Sequence, residues 1–342
     1  MPTTRSHPAL TRSLTAAVGL LAAMLTSAVA YDGSQSQESN NDRVMAIQRF
    51  GGVRKDTGEV TFTYYGNMAF KITSPRGVEV FIDPWRNDVT GMYPYWFVMQ
   101  MPKVTADLAL ITHSHFDHDA MDRLDTSMIL DRMAGEYTLG DVKITGIAEK
   151  HVCETQGKYP YRGLVKGLIH KDPCPPNETM QWDNVLYVIE TGGMRILHWG
   201  DNRQNPPDDT WARVGKIDVA ILAISDDGHI VSPKWGDVIM NRIDAKVVIP
   251  SHYYIEGMHI PHHYGLESAE GWTTKHEHTV LDSPTLVLTP AKLATLHHHV
   301  MYFGNHVAFP LSGKAPAPNE TEPPVPDPDK DGWKRFAPKN GG

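Results

Sequence analysis

Residues 108–119 read LALITHSHFDHD and combine a predicted strand with a group of candidate metal ligands. The apolar run Leu108 to Ile111 is typical of a buried strand. Five metal-capable side chains follow it within seven positions: His113, His115, Asp117, His118 and Asp119. Three imidazoles this close repel one another when protonated and leave ring nitrogens without partners when neutral, unless a cation binds them. The stretch therefore predicts a metal site rather than a merely polar loop, with His113 and His115 facing one ion and Asp117 and His118 facing a second.

Three further candidate ligands lie at the ends of later predicted strands: His151, Asp201 and His252. His151 follows a strand over 142–148, Asp201 follows a hairpin over 184–199, and His252 follows a strand over 246–249. A histidine at a strand end is often structural, and an Asp after Gly often caps a turn through its own backbone. Because the pattern recurs at the same end of successive strands, we expect two stacked sheets with helices outside and a site at one edge.

These seven positions resemble the metal-ligand set of the metallo-β-lactamase superfamily. The motif is His113-x-His115-x-Asp117-His118, followed by His151, Asp201 and His252. The resemblance covers roughly residues 60 to 255. It implies an α+β fold, the four-layer αββα sandwich of the metallo-β-lactamase fold, with a dinuclear metal site that is commonly zinc.

Within the superfamily, four stretches resemble the branch that contains ascorbate-6-phosphate lactonase. They read YGNMAF at 65–70, FIDP at 81–84, ILHWGD at 196–201 and VVIPSH at 247–252. That branch often has His where this chain has Asn67. We interpret Asn67 and His198 as residues that support the ligands or contact the substrate; for His198 a structural role within its strand is the alternative. The branch is also similar to N-acyl-phosphatidylethanolamine-hydrolysing phospholipase D.

The resemblance also implies a role for each ligand. His113, His115 and His151 would hold the first ion, Asp117, His118 and His252 the second, and Asp201 would bridge the two. Nitrogen and oxygen donors without a thiolate suit two divalent ions, zinc first, with Mn or Fe as alternatives. Such a pair activates a water to hydroxide near neutral pH, and Asp117 would act catalytically by orienting it and shuttling its proton. The chain contains no Gly-x-Ser-x-Gly elbow that would indicate a serine nucleophile.

Three functions compete at this stage. A hydrolase acting on a lactone or ester is favoured, and a phosphodiesterase or phospholipase D-like enzyme is the first alternative. A non-hydrolytic di-metal protein, such as a di-iron oxidoreductase, is the second. We expect a small-molecule or lipid-like ester as substrate. Residues 92–101 are rich in aromatic side chains and Met, which is typical of a segment that packs over a core; the alternative, a substrate mouth or a lipid-facing surface, favours the phospholipase-like function. The formal net charge of -8 argues against a nucleic-acid partner.

Residues 1–30 have the pattern of a signal peptide. Arg5 and Arg12 precede an apolar run over 14–25, and Ala28-Val29-Ala30 fits a cleavage site before Tyr31. A run of about 12 residues is too short to cross a bilayer as a helix, so we expect no transmembrane segment after cleavage. The protein is therefore predicted to be secreted or periplasmic.

The rest of the chain divides into three parts by composition. Residues 31–58 form a polar N-terminal extension, residues 59–311 the metallo-β-lactamase-fold hydrolase domain, and residues 312–342 a flexible Pro-rich tail. In an oxidising compartment, Cys153 and Cys174 are predicted to form a disulfide; a free Cys153 near the metal site is the alternative. The sequence gives no indication of the oligomeric state.

Several other features receive an interpretation of their own. Residues 120–125 are predicted to form a short helix whose N-terminus lies at the metal motif. His229 follows Ser225-Asp226-Asp227-Gly228 and is interpreted as a loop residue without a ligand role, with a place at the edge of the site as the alternative. The tract His297-His298-His299 is interpreted as a surface or strand segment, with weak metal capture as the alternative.

Overall fold

The computed structural model describes residues 42–87, 96–97, 100–154, 162–163, 166–167, 170, 172, 182–256, 258 and 266–309. The predicted signal peptide and Pro-rich tail lie outside these residues. Residues 42–50, within the predicted extension, are helical. A compact unit begins at Ile47, whose side chain is fully buried in its core. Within the described ranges, no helix combines the length and the apolarity that crossing a bilayer requires.

Fourteen strands account for most of the regular structure. They are β1 Val60–Tyr64, β2 Phe70–Thr73, β3 Glu79–Ile82, β4 Val104–Ile111, β5 Leu124–Asp131, β6 Gly135–Leu139, β7 Val142–Glu149, β8 Asn184–Thr191, β9 Met194–His198, β10 Val219–Leu222, β11 Val247–Pro250, β12 His278–Val280, β13 Thr285–Leu288 and β14 His299–Tyr302. The labelled helices are α1 Asp208–Val214, α2 Pro233–Arg242, α3 Glu270–Thr273 and α4 Pro290–Leu293, with a 3-10 turn at Met121–Arg123.

The strands form two mixed sheets. The first has the order β13-β1-β2-β3-β4-β5, and the second the order β12-β14-β11-β10-β9-β8-β7-β6. Residues from both sheets, such as Phe62 and Leu110 in the first and Ile189 and Ile221 in the second, belong to one continuous hydrophobic core. The predicted fold class is confirmed: two mixed sheets with helices, as in the metallo-β-lactamase fold.

Burial explains why these segments are strands. In β1, Val60, Phe62 and Tyr64 are buried while the alternate positions are partly exposed, which is the period of a sheet with one covered face. β10 and β11 are buried at every position and are apolar throughout, as expected for parallel strands covered on both faces. The core therefore follows the hydrophobic pattern of the sequence closely.

Strand direction places the ends of several strands at one edge of each sheet. In the first sheet β3 and β4 are parallel. In the second sheet β9, β10 and β11 are parallel, and β7 shares their direction because β8 is antiparallel to both β7 and β9. The carboxyl ends of β7, β9 and β11 thus lie at one edge. A backbone hydrogen bond of 3.0 Å from Val185 N to Thr112 O joins that edge to the end of β4.

The short helix predicted over 120–125 is wrong. The chain forms only a three-residue 3-10 turn there and then enters β5, which pairs in parallel with β4. β5 is an edge strand, and most of its positions are exposed or partly exposed, so it lacks the apolar alternation that would reveal it in the sequence. A three-residue turn has no helix dipole to offer the metal motif.

Candidate metal centre

The predicted ligands meet in two clusters at the ends of four strands. His113, His115, Asp117 and His118 follow β4, His151 follows β7, Asp201 follows β9, and His252 follows β11. His113, His115, His151 and Asp201 each offer a ligand atom within 4.8 Å of the others. Asp117, His118 and His252 do the same. This grouping matches the two ligand sets that the resemblance implied. Asp119, the fifth metal-capable residue of the motif, instead pairs with Arg86 at 3.0 Å.

Three imidazoles crowd together in the first cluster. The ring centroids of His113 and His151 lie 4.7 Å apart, and those of His115 and His151 lie 4.5 Å apart. His113 is buried, whereas His115 is exposed to solvent. Within the first cluster, His115 is therefore the position that solvent reaches.

The second cluster is shielded from solvent. His118 and His252 are almost fully buried, and Asp117 Oδ2 lies 3.5 Å from His118 Nε2 and 3.3 Å from His252 Nε2. His252 has a φ of +55°, and its backbone N–H donates to Asn67 O at 3.0 Å. The left-handed turn after β11 thus brings the His252 ring to the motif after β4.

Asp201 lies between the two clusters. Its Oδ2 is 3.5 Å from His151 Nε2, and its Oδ1 is 3.4 Å from His118 Nε2. A third contact, 3.4 Å from Oδ2 to His252 Nε2, completes the link. A carboxylate that contacts histidines of both clusters is placed to bridge two cations.

The donor atoms fit a pair of divalent ions. Within the described part of the chain, Nε2 of His113, His118 and His252 and Oδ1 of Asp201 are buried without a hydrogen-bond partner. Leaving a buried polar atom unpaired costs about 1–3 kcal/mol, so four such atoms in one place would be strongly destabilising without a ligand. Imidazole and carboxylate donors without sulfur match Zn, Mn or Fe. The geometry therefore calls for cations at this position.

Asp83, which follows β3, contacts Thr112 and the ligand His118. It accepts hydrogen bonds from Thr112 N at 2.8 Å and Thr112 Oγ1 at 2.7 Å, and its Oδ2 lies 3.0 Å from His118 Nδ1. With Nδ1–H directed at Asp83, the Nε2 lone pair of His118 faces the cluster. Asp83 could not be assigned a role from the sequence, because an Asp-Pro pair after a strand is also typical of a turn.

Asn67 and His198, the two predicted supporting residues, are both fully buried. Asn67 Nδ2 donates to Asp117 O at 2.9 Å and to Asp117 Oδ2 at 3.3 Å. His198 Nε2 donates to Met68 O at 2.9 Å, and its Nδ1 lies 3.9 Å from Asp83 Oδ2. Both residues contact the groups that hold the ligands, which is the position of a supporting residue rather than a substrate-binding one.

A partly buried ion pair connects the ends of β7 and β9. Arg203 donates to both oxygens of Glu149, with Nε–Oε2 2.6 Å and Nη2–Oε1 2.5 Å. Glu149 is fully buried and lies two residues before His151, while Arg203 lies two residues after Asp201. A two-point contact of this kind fixes orientation as well as distance. It therefore holds His151 and Asp201 in register.

His229 is closer to the centre than the sequence analysis predicted. Its ring is buried and stacks on His252 with centroids 5.3 Å apart. Trp96 stands edge-on to both rings, at 6.0 Å from His229 and 5.8 Å from His252. The interpretation of His229 as an ordinary loop residue is wrong, since it forms, with Trp96, an aromatic wall beside the second cluster.

The buried charges of the centre balance one another. Burial opposes the charged form of His118 and His252, but the carboxylates of Asp201 and Asp117 outweigh it. The pKa of His118 is therefore well above its ordinary value, and that of His252 rises to about 9. Burial alone would raise the pKa of both carboxyls, yet the two histidines hold it well below the ordinary range. Without metal, two protons take the place of cationic charge.

Metal binding should therefore release protons. Because both raised pKa values belong to the metal-free protein, His118 and His252 are charged at pH 7 and must deprotonate to bind a cation. We expect about two protons to be released per centre, and the Zn²⁺ affinity to rise between pH 6.5 and 8.5. Calorimetric titrations in buffers of different ionisation enthalpy measure the number. An affinity that does not change with pH would contradict this charge assignment.

Gly200 is the turn that delivers Asp201, and it cannot carry a side chain. Its φ is +55°, and an added Cβ would lie 2.8 Å from Thr112 Oγ1 and 2.9 Å from Thr112 Cβ. Gly200→Ala should lower the free energy of unfolding by about 1–3 kcal/mol more than Gly193→Ala. Gly193 has a φ of +71° but meets only Pro290 Cγ, at 3.5 Å. Urea unfolding of the two variants isolates the steric effect, and equal losses would show that the clash relaxes.

Cys153 lies two residues after His151 and is disulfide-bonded. The predicted partner, Cys174, lies outside the described residues. A disulfide-bonded sulfur is not available as a thiolate ligand, so the alternative of a free Cys153 thiol at the metal site is wrong.

Comparison with known proteins places the chain in a family. The family model described as "Beta-lactamase superfamily domain" matches residues 61–252, more than half of the chain. A "UPF0173 metal-dependent hydrolase" of Thermodesulfovibrio yellowstonii is 27% identical over 214 residues, covering 57% of this chain and 79% of the relative. One of Thermus thermophilus is 28% identical over 204 residues, covering 57% and 84%.

A metallo-β-lactamase superfamily protein of Thermotoga maritima superposes with a TM-score of 0.48 at 19% identity, covering 71% of this chain and 98% of that one. The family match spans β1 to His252, and so includes all seven ligand positions. The chain belongs to the β-lactamase superfamily and is a metal-dependent hydrolase with two His/Asp clusters that are buried except at His115.

Proposed function

We propose that this hydrolase cleaves a lactone or carboxylic ester and belongs with the ascorbate-6-phosphate lactonase-like branch. The observation that carries the proposal is the gathering of seven donor residues in two clusters that Asp201 links, with Asp117 in contact with both histidines of the second cluster. When bound, two divalent cations, zinc by preference, polarise a substrate carbonyl and lower the pKa of a water.

Asp117 supplies the general base. Its Oδ2 lies within 3.5 Å of the ligand nitrogens of both His118 and His252, and Asn67 Nδ2 fixes its orientation. Burial alone would raise the pKa of Asp117, but His118 and His252 hold it well below the ordinary range, so the carboxylate is ionised. Asp117 can therefore orient the attacking water and carry its proton towards the leaving alkoxide.

The surroundings favour a neutral carbonyl over a phosphodiester. The wall formed by Trp96 and His229 is aromatic, and burial lowers the pKa of His229 to about 3, so its ring is neutral. Two nearby guanidinium groups, those of Arg86 and Arg203, are each paired with a carboxylate. An uncharged small-molecule or lipid-like ester therefore suits the site better than a phosphate group.

A substrate panel on the Zn²⁺-reconstituted mature chain tests the proposal. We expect hydrolysis of lactones and p-nitrophenyl esters that is lost in chelator and restored by Zn²⁺. Bis-p-nitrophenyl phosphate should turn over much more slowly. Faster phosphodiester cleavage would favour the phospholipase D-like alternative, and iron with visible absorption but no hydrolysis would favour the di-iron alternative. N-terminal sequencing of the periplasmic or secreted fraction, expected to start at Tyr31, tests the proposed export.

A further inference from the structure

The tract His297-His298-His299 plays no part in the centre described above. It leads into β14, which pairs in parallel with β11. Two backbone hydrogen bonds, His298 N to Ala245 O at 3.1 Å and His299 N to Lys246 O at 3.0 Å, hold it beside the turn before β11. His252 follows the other end of β11. The tract therefore lies at the opposite end of the parallel strands from the catalytic ligands.

Three side chains at this end form a metal-sized cluster. Asp244, His297 and His298 each offer a ligand atom within 4.8 Å of the others. The rings of His297 and His298 stack with centroids 3.9 Å apart and planes 24° from parallel. Asp244 has a φ of +52° and His298 a φ of +50°, so both turns are left-handed at residues that are not glycine. Such conformations need local support and often mark a functional position.

His298 also has unused bonding capacity. Its Nε2 is shielded from solvent and, within the residues described, has no hydrogen-bond partner. His299 differs, since its Nε2 lies 2.8 Å from Thr279 Oγ1. The three histidines therefore differ: His297 and His298 lie beside Asp244, whereas His299 is hydrogen-bonded to Thr279.

We propose that Asp244, His297 and His298 bind one divalent transition-metal ion, separate from the catalytic pair. Two imidazoles and a carboxylate suit Zn²⁺, Ni²⁺ or Cu²⁺ rather than Mg²⁺ or Ca²⁺. Zn–N bonds of about 2.0 Å place tetrahedral ligand atoms roughly 3.3 Å apart, so ligand atoms that lie up to 4.8 Å apart must approach by up to about 1.5 Å. The exposed side chains of Asp244 and His297 can move that far. The ion would connect the turn before β11 to the turn before β14.

Lys216 competes with the ion for Asp244. Its Nζ lies 2.7 Å from Asp244 Oδ2, and both side chains are largely exposed. An exposed ion pair of this kind is weak, and Asp244 Oδ1 remains for the metal. Removing Lys216 should therefore tighten binding at this site by about 2- to 5-fold.

Equilibrium dialysis of the chelator-treated full chain against Zn²⁺ tests the proposal. The wild type should bind three equivalents, and Asp244→Asn, His297→Gln and His298→Gln should weaken the third by at least ~10-fold. His299→Gln, which removes an imidazole from the same tract, should keep all three. Lys216→Met should bind the third ion more tightly, a gain that misfolding cannot produce.

Two outcomes would overturn the proposal. One is a third equivalent that survives the three ligand substitutions, and the other is a loss in His299→Gln as large as theirs, which would mark unspecific capture by the tract. If the catalytic centre bound no metal, every variant would bind two fewer Zn²⁺ equivalents. The difference in bound Zn²⁺ between the wild type and His298→Gln would remain.

Discussion

Asp201→Asn is expected to reduce kcat/KM on a lactone or ester by about 10³-fold or more. Asp201 contacts His118, His151 and His252, so losing its charge weakens both clusters at once. Charge stabilisation by a metal centre is worth several kcal/mol, and about 4 kcal/mol corresponds to that factor. Steady-state kinetics and the Zn²⁺ content after dialysis measure the two effects.

Asp218→Asn is the matched control for Asp201→Asn. Asp218 precedes β10, at the opposite end of the strand next to β9, and accepts hydrogen bonds from Arg195 N and Lys246 Nζ. It should lose some stability and keep its kcat/KM and metal content. If Asp201→Asn stayed within tenfold of the wild type and kept two bound ions, the bridging role would be wrong.

Asp83→Asn is expected to weaken Zn²⁺ binding and activity by about 10–100-fold. The amide cannot accept hydrogen bonds from Thr112 N, Thr112 Oγ1 and His118 Nδ1 together, because one of its two polar atoms is a donor. The imidazole of His118 then loses the partner that fixes its tautomer. Chelator competition measures the resulting fall in Zn²⁺ affinity, and steady-state kinetics measures the fall in kcat/KM.

Asp107→Asn is the control for Asp83→Asn. Asp107 is a buried carboxylate on β4 whose Oδ2 accepts a hydrogen bond from Glu79 N at 2.9 Å, in the same manner as Asp83 accepts one from Thr112 N. Its substitution should lower stability without changing the Zn²⁺ affinity. Equal losses of affinity in the two variants would mean that Asp83 acts through general stability rather than through His118.

The ligand positions could be predicted because each is a local signal. A buried strand is visible as an apolar run, and a His or Asp that recurs after several such runs indicates a shared site at their ends. His151, Asp201 and His252 are far apart in the sequence, yet parallel strand ends bring them to one edge. The resemblance to a known family then supplied the pairing into two clusters, which spacing alone could not give.

The supporting residues were harder to predict because their roles depend on contacts across the sheet. Asp83 follows β3 and acts on His118, which lies 35 residues later and follows the neighbouring strand. His229 was interpreted from its polar loop, but its burial against His252 comes from the tertiary fold. The edge strand β5 was missed because an exposed strand carries no apolar alternation.

The most direct test is anomalous diffraction at the zinc edge from crystals of the Zn²⁺-reconstituted chain. Two anomalous-difference peaks about 3.5–4 Å apart are expected. One should be enclosed by His113, His115 and His151 and the other by Asp117, His118 and His252, with Asp201 between them. A single peak at this position, or none, would contradict a dinuclear centre.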